Sequence, residues 1–255
     1  AAPGPAAQEA RGGGAGRATL EVPLCAAVAR PRALTACTQP LYGRARMEAA
    51  APHFMRDWLL HHHRGVGVEH FHVYDADGSF AEDLAPFVAR GLVSYHPSWA
   101  DGFPGALSRT TRAHGAPLCT ELLAYSHCLV VSHRTSDWVV LLHAPDEYVA
   151  PAATTRGRRP GLPELLAAAE QGTGLARAGV DELQLLHFPF ARHGGCHPGA
   201  RGAAVRCSLQ RAVAADVTRG SPILNPDNCI VSDAHHCIAT LPGMSSQGGL
   251  GTGPR

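Results

Sequence analysis

Trp138-Val139-Val140-Leu141-Leu142-His143-Ala144-Pro145-Asp146-Glu147-Tyr148 is an apolar run that breaks off in an acidic turn. Five successive apolar residues bounded by a proline turn read as a buried strand of the kind found in parallel sheets. Working outward, residues 118 to about 133 read as a helix feeding that strand. Upstream, Val68, His70, His72 and Tyr74 alternate with Glu69, Phe71 and Val73, the period of a strand that ends at residues 75–78. Residues 47–64 bring Phe54, Met55, Trp58, Leu59 and His62 to one side at spacings of three and four, which predicts one amphipathic helix stopping at Gly65 and Gly67. Residues 34–41 read as a first strand ended by Tyr42 and Gly43, residues 81–89 as a short helix, 91–95 as a strand and 96–116 as a loop. Strand, helix, strand in this order predicts an α/β domain with a mostly parallel central sheet flanked by helices and right-handed crossovers. Ligands in such sheets sit beyond the carboxyl ends of the strands. Asp75 and Asp146 both come at that end.

Beyond Pro151, residues 156–163 read as a basic, proline-containing linker, 164–170 as helix and 183–190 as strand. Residues 1–18 are almost wholly Ala, Gly, Pro, Arg and Gln, and 242–255 are rich in Gly and Ser. Neither stretch can bury enough apolar area to offset the entropy of ordering, so both are expected to be disordered around a single domain over 19–241.

The chain has 255 residues, 45% apolar and 17% charged, which suits a folded domain with a sizeable core. Its 22 basic residues nearly cancel its 21 acidic ones. That balance removes the positive field that non-specific phosphate binding needs, so no nucleic-acid partner is expected. Every basic residue is arginine, a pattern read here as codon bias of a GC-rich genome. No apolar run approaches the roughly 20 residues that span a bilayer. The chain reads as a soluble stretch whose membrane anchor, if one exists, lies upstream. Its 8 cysteines are scattered, without a CxxC pair, which excludes a zinc ribbon. They suit either a disulfide or two in an oxidising compartment or buried thiols.

A strand that delivers a carboxylate to its open end can hold a divalent cation beside a diphosphate leaving group, although acidic residues after strands also serve as caps and turn formers. His61, His62 and His63 lie about 100° apart on a helix and cannot converge on one ion. His62 faces inward beside Trp58 and is read as a hydrogen-bonded imidazole. His235 and His236 follow a strand-like segment, residues 228–231, and only one of them would reach a site. The sequence holds no GxSxG elbow, HExxH pair, Walker loop or GxGxxG after the first strand.

Several ordered blocks resemble glycosyltransferase family 92, formerly a domain of unknown function, which includes galactan synthases and galactosyltransferases. Cys37-Thr38-Gln39-Pro40-Leu41-Tyr42-Gly43 is similar to the family's Cys-x-x-x-Leu-Tyr-Gly opening strand. Trp58 to His62, and Gly67-Val68-Glu69-His70-Phe71-His72-Val73-Tyr74-Asp75, resemble its Trp-x-x-x-His and Gly-Val-x-His-Phe-x-x-Tyr-Asp blocks. Ala124 to Cys128, then Trp138, then Asp146-Glu147-Tyr148 are similar to its Asn-Asp-Cys, Trp and Asp-x-Asp-Glu-Phe. Looser likenesses follow at residues 188–195, at Asn225-Pro226-Asp227 and at His235-His236.

The resemblance implies a GT-A-like (Rossmann-type) nucleotide-sugar domain. It implies metal-assisted, inverting transfer of a hexose, most readily galactose, from a UDP-sugar to a glycan acceptor on the lumenal side of the Golgi membrane. By position, Asp146 and the late His236 or His235 are expected to hold manganese. His143 is expected to stand in for the first Asp of the motif, whose register is taken by Ala144. The ion is expected to bind weakly and with UDP. Glu147 is the expected base, and Asp75, Thr38 and Tyr42 the expected nucleotide contacts. Glu121 and Ser126-His127 depart from the family's Gln and Asn-Asp. A non-catalytic relative that binds a glycan or a partner is the alternative.

Overall fold

The computed structural model describes residues 31–99, 118–143, 145, 147–150, 159–173, 182–187, 216–232 and 237–240. The expected disordered ends, most of the 96–116 loop, residues 188–195, Asp146, His235 and His236 lie outside them.

In chain order the described elements are β1 (Arg32–Thr38), α1 (Arg44–Ala50), α2 (Phe54–His61), a π-helical turn (His62–Val66), β2 (His70–Tyr74), α3 (Ala81–Val88), β3 (Val93–His96), α4 (Leu118–Ser132), β4 (Ser136–Leu142), α5 (Leu162–Thr173), β5 (Glu182–His187), β6 (Asp216–Leu224), β7 (Cys229–Ser232) and β8 (Cys237–Thr240). Six strands form one sheet in the order β3-β2-β1-β4-β6-β5, and β7 pairs with β8 apart from it. β1 runs parallel to both β2 and β4, and β2 parallel to β3. β6 is antiparallel to β4 and to β5. The α/β class and the mostly parallel sheet therefore stand, with one reversed strand that sequence periodicity did not mark.

β1 is the middle of this arrangement, and Leu34 to Thr38 are buried without a break. On one face Leu34, Ala36, Phe71, Val73, Trp138 and Val140 meet Trp58 and Leu59 of α2, Leu84 and Phe87 of α3, and Leu162 and Leu166 of α5. On the other, Cys37, Tyr74, Val139 and Leu141 meet Ala124, Tyr125, Cys128 and Leu129 of α4. This two-sided burial is why β4 reads as a continuous apolar run and not as an alternating one. For Cys37, Cys128 and Cys229 the open question resolves toward bonding. Cys37 of β1 is linked to Cys128 of α4, 91 residues away, and Cys229 is disulfide-bonded as well. In the chain-entropy account, closing a loop of that length stabilises the fold by about 4–5 kcal/mol.

The single helix expected over 47–64 is instead three pieces. Pro52 removes a backbone donor and excludes its predecessor from helical geometry, so Ala51 is extended at φ −147°. His53 turns left-handed at φ 63°, where its amide donates to Glu48 Oε1 at 2.8 Å. The helix resumes at Phe54 and widens at His62, whose carbonyl accepts the amides of both Gly67 and Val68 at 3.0 Å. Gly67 sits at φ +94°, and a Cβ there would lie 3.0 Å from the Pro163 ring. Only glycine closes that turn against α5. The first strand stops earlier than expected, at Thr38, because Pro40 has no amide to continue the ladder. Leu41 then makes an isolated parallel bridge to Asp75.

Trp58 has no exposed surface and packs its ring 5.6 Å from that of Phe71 on the sheet. Trp58→Ala is expected to cost about 3–5 kcal/mol in chemical denaturation. A loss under about 1 kcal/mol would show that this face of α2 is not part of the core.

Candidate functional site

The chain leaves β1 in opposite directions across the sheet, toward β2 and β3 on one side and toward β4 on the other, so the strand order reverses between β1 and β4. A crevice at such a point is where open α/β sheets take ligands. Thr38 pairs in register with Leu142, which places His143 beside the carboxyl end of β1. β2 and β4 are both parallel to β1, so Asp75 and the turn after β4 lie at the same edge of the sheet.

At the β4 end, His143 and Glu147 form a closed pair. The His143 ring donates from Nδ1 to Glu147 Oε1 at 2.9 Å, and the His143 amide donates to Oε2 at 2.9 Å. Ser221 Oγ lies 3.4 Å from Oε2, a long contact that brings β6 to the same carboxylate. Both side chains are mostly covered, at 15% and 23% exposed. A carboxylate so placed fixes the imidazole tautomer with its proton on Nδ1. The Tyr125 ring meets the His143 ring edge-on at 6.2 Å, and its hydroxyl donates to Glu121 Oε1 at 3.0 Å. Burial together with the Glu121 carboxylate pushes the Tyr125 hydroxyl well above the ordinary phenol range.

At the β2 end, Asp75 is buried, and its carboxylate organises its own turn. Oδ1 accepts the amides of Asp77 and Gly78 at 3.2 and 3.0 Å. Oδ2 accepts the Phe80 amide at 2.8 Å and the Tyr95 hydroxyl at 2.7 Å. Burial raises its pKa against the pull of those hydrogen bonds. Thr38 is buried too, and its Oγ1 accepts the Tyr74 amide at 3.2 Å. Tyr42, in contrast, is 52% exposed and is followed by left-handed Gly43, whose amide donates to Asp77 Oδ2 at 2.8 Å.

At the β2–β3 side of the sheet lies a block of rings that sequence reasoning did not assemble. His96 stacks on Tyr74 with centroids 4.6 Å apart, and Trp99 meets Tyr74 at 4.5 Å. Tyr74 Oη and His127 Nδ1 share a hydrogen bond of 2.8 Å. His72 Nδ1 and His96 Nε2 are 3.1 Å apart. Alternation along β2 put His70, His72 and Tyr74 on one face, but no spacing in the sequence pointed to His96 or His127 as their neighbours. Among the described residues, no three His, Cys, Asp or Glu side chains converge to hold a metal ion. Of the expected ligands only His143 is described.

The model of glycosyltransferase family 92 matches residues 32–157, from β1 through the acidic turn. Residues 32–157 belong to glycosyltransferase family 92. The match spans the reversal point and both of its edges, and the six-stranded, mostly parallel sheet is consistent with a GT-A-like fold. The comparison with curated proteins finds no match. Membership in family 92 implies a sugar donor and a glycan acceptor in general terms, and it fits a place in the secretory pathway. The bonded cysteines suit such an oxidising route. Among the described residues no helix is long and apolar enough to cross a membrane.

The buried histidines of this family 92 chain give its stability a pH dependence. Burial holds His62 near 3, and burial with the neighbouring His70 and His96 holds His72 near 3. Unfolded histidine titrates near 6.5, so below that value the unfolded chain binds protons that the native chain refuses. Stability is therefore fully present above about pH 6.5 and falls as pH drops toward 3. The slope is at most about 1.4 kcal/mol per pH unit for each of the two. Denaturant titrations at stepped pH should give this slope, shallower in His72→Asn. A flat profile would show that these rings are charged in the native state.

Proposed function

We propose that this chain transfers a hexose, galactose first among the candidates, from a UDP-sugar to a glycan hydroxyl with inversion, in the lumen of the Golgi. The observation that carries this reading is the His143–Glu147 pair at the point where the strand order reverses, inside the family 92 match. In a single displacement the acceptor oxygen forms its bond to the anomeric carbon as the bond to UDP breaks. The hydroxyl proton passes to the Glu147 carboxylate, which the His143 ring orients. Tyr42, exposed at the end of β1, offers a ring to the nucleotide. Thr38 and Asp75 support that end by holding the Tyr74 amide and the 77–80 turn.

Manganese is proposed as a weak, UDP-dependent companion. The described residues alone do not make a metal site, so the ion depends on Asp146 and His236, with His143 beside them and the nucleotide's phosphate oxygens completing the set. Imidazole among the donors favours manganese over magnesium, and the charge lost with Ala144 weakens the site. The same two facts favour a second reading, a non-catalytic relative that binds a glycan without turnover.

Donor hydrolysis across UDP-sugars with manganese separates the two readings. The parent should turn over at least one UDP-hexose, and Glu147→Gln should lose roughly 100-fold or more in kcat. Calorimetry should show manganese binding only with UDP present and its loss in Asp146→Ala. A parent that hydrolyses no UDP-sugar sinks the catalytic reading, and tight manganese binding without UDP sinks the account of the ion.

A further inference from the structure

Three side chains at the end of α2 take hold of the segment that follows the acidic turn, nearly ninety residues away in sequence. Trp58 Nε1–H donates to the Glu147 carbonyl at 2.8 Å. His61 Nε2–H donates to the Val149 carbonyl at 2.8 Å. His62 Nε2 accepts the Val149 amide at 3.1 Å, so the proton of His62 sits on Nδ1, which donates to the Trp58 carbonyl at 2.9 Å. Tyr148 stacks on the His62 ring with centroids 5.8 Å apart. Both polar backbone groups of Val149 and the carbonyl of Glu147 are thus held by one helical turn.

His62 has no exposed surface, and an imidazole so buried is tolerated only because both nitrogens are bonded. A leucine would fill the space at lower desolvation cost but would leave the Val149 amide without its acceptor. The π-turn sets the ring's origin as well, since two amides close on the His62 carbonyl, and such turns recur where a helix serves a site.

We propose, resting on the reading of the His143–Glu147 pair as part of the transfer site, that His62 is a positioning residue: through Val149 it fixes the backbone of residues 147–149, and thereby sets Glu147 against His143. Nothing in this role requires His62 to touch donor or acceptor. It works as a neutral ring with one donor and one acceptor in fixed places.

Two variants of similar size divide these functions. The amide of His62→Asn falls near the position of Nδ1 and leaves no acceptor for Val149, whereas His62→Gln can present its oxygen near the position of Nε2. Amide exchange of the full chain reads the positioning directly, whatever the activity of the parent. Exchange at Val149 should quicken at least tenfold in His62→Asn and much less in His62→Gln. Kinetics with the best UDP-hexose should show kcat falling at least tenfold in His62→Asn with KM for the donor little changed, and partial recovery in His62→Gln. Thermal midpoints report on packing. If the two variants lose stability equally and kcat equally, His62 only packs, and the proposal is overturned. Unchanged Val149 exchange in His62→Asn overturns it as well. A parent without turnover defeats the functional reading of the pair, while the exchange result still decides whether His62 holds the turn.

Discussion

The grip of α2 on residues 147–149 is the contact on which the candidate site depends. A turn after a parallel strand has no ladder to hold it, and its backbone groups must find partners elsewhere. Here they find an indole and two imidazoles from one helix. That helix is itself anchored by Trp58 against Phe71 of β2. Core packing on one face of the sheet is thereby transmitted to the edge where Glu147 meets His143, and a polar arrangement inherits the rigidity of an apolar one.

The opposite face is anchored differently. α4 is bound to the central strand by the Cys37–Cys128 link as well as by packing of Tyr125 and Leu129. Because the linked β1 residue directly precedes Thr38, the bond also restrains the start of the loop that carries Tyr42. The two edges of the crevice therefore rest on two mechanisms, hydrogen bonding from α2 at the β4 end and a covalent tie at the β1 end. Asp75 adds a third, since its carboxylate gathers the 77–80 turn and Tyr95 into one unit.

The abundance of histidine in this fold serves shape more than charge. His62, His70, His72 and His96 are all held well below the ordinary imidazole range, first of all by burial. In that state each ring can be donor at one nitrogen and acceptor at the other, a versatility that neither phenylalanine nor a charged side chain offers. His70 uses it between the Gly91 carbonyl and the Ser94 hydroxyl. His62 uses it between Trp58 and Val149. The block around Tyr74 and Trp99 shows the same economy, with rings that both stack and bond.

Much of the frame was legible in the residues. The run of Trp138 to Leu142, the alternation of Val68 to Tyr74 and the inward spacing of Trp58 and His62 are local patterns, governed by side-chain periodicity and by which faces must be dry. They led to an α/β domain, and the ordered blocks around them led to family 92. Proline chemistry divided the helix expected over 47–64, a local signal at Pro52 that apolar spacing overrode. What the sequence could not contain was the meeting of distant partners. Nothing near His62 points to Val149, nothing near His143 points to Ser221, and eight scattered cysteines carry no mark of which will bond to which. Those contacts exist because the parallel crossover returns the chain to the same sheet edge after long excursions, and only the assembled sheet decides which side chains are left facing one another there.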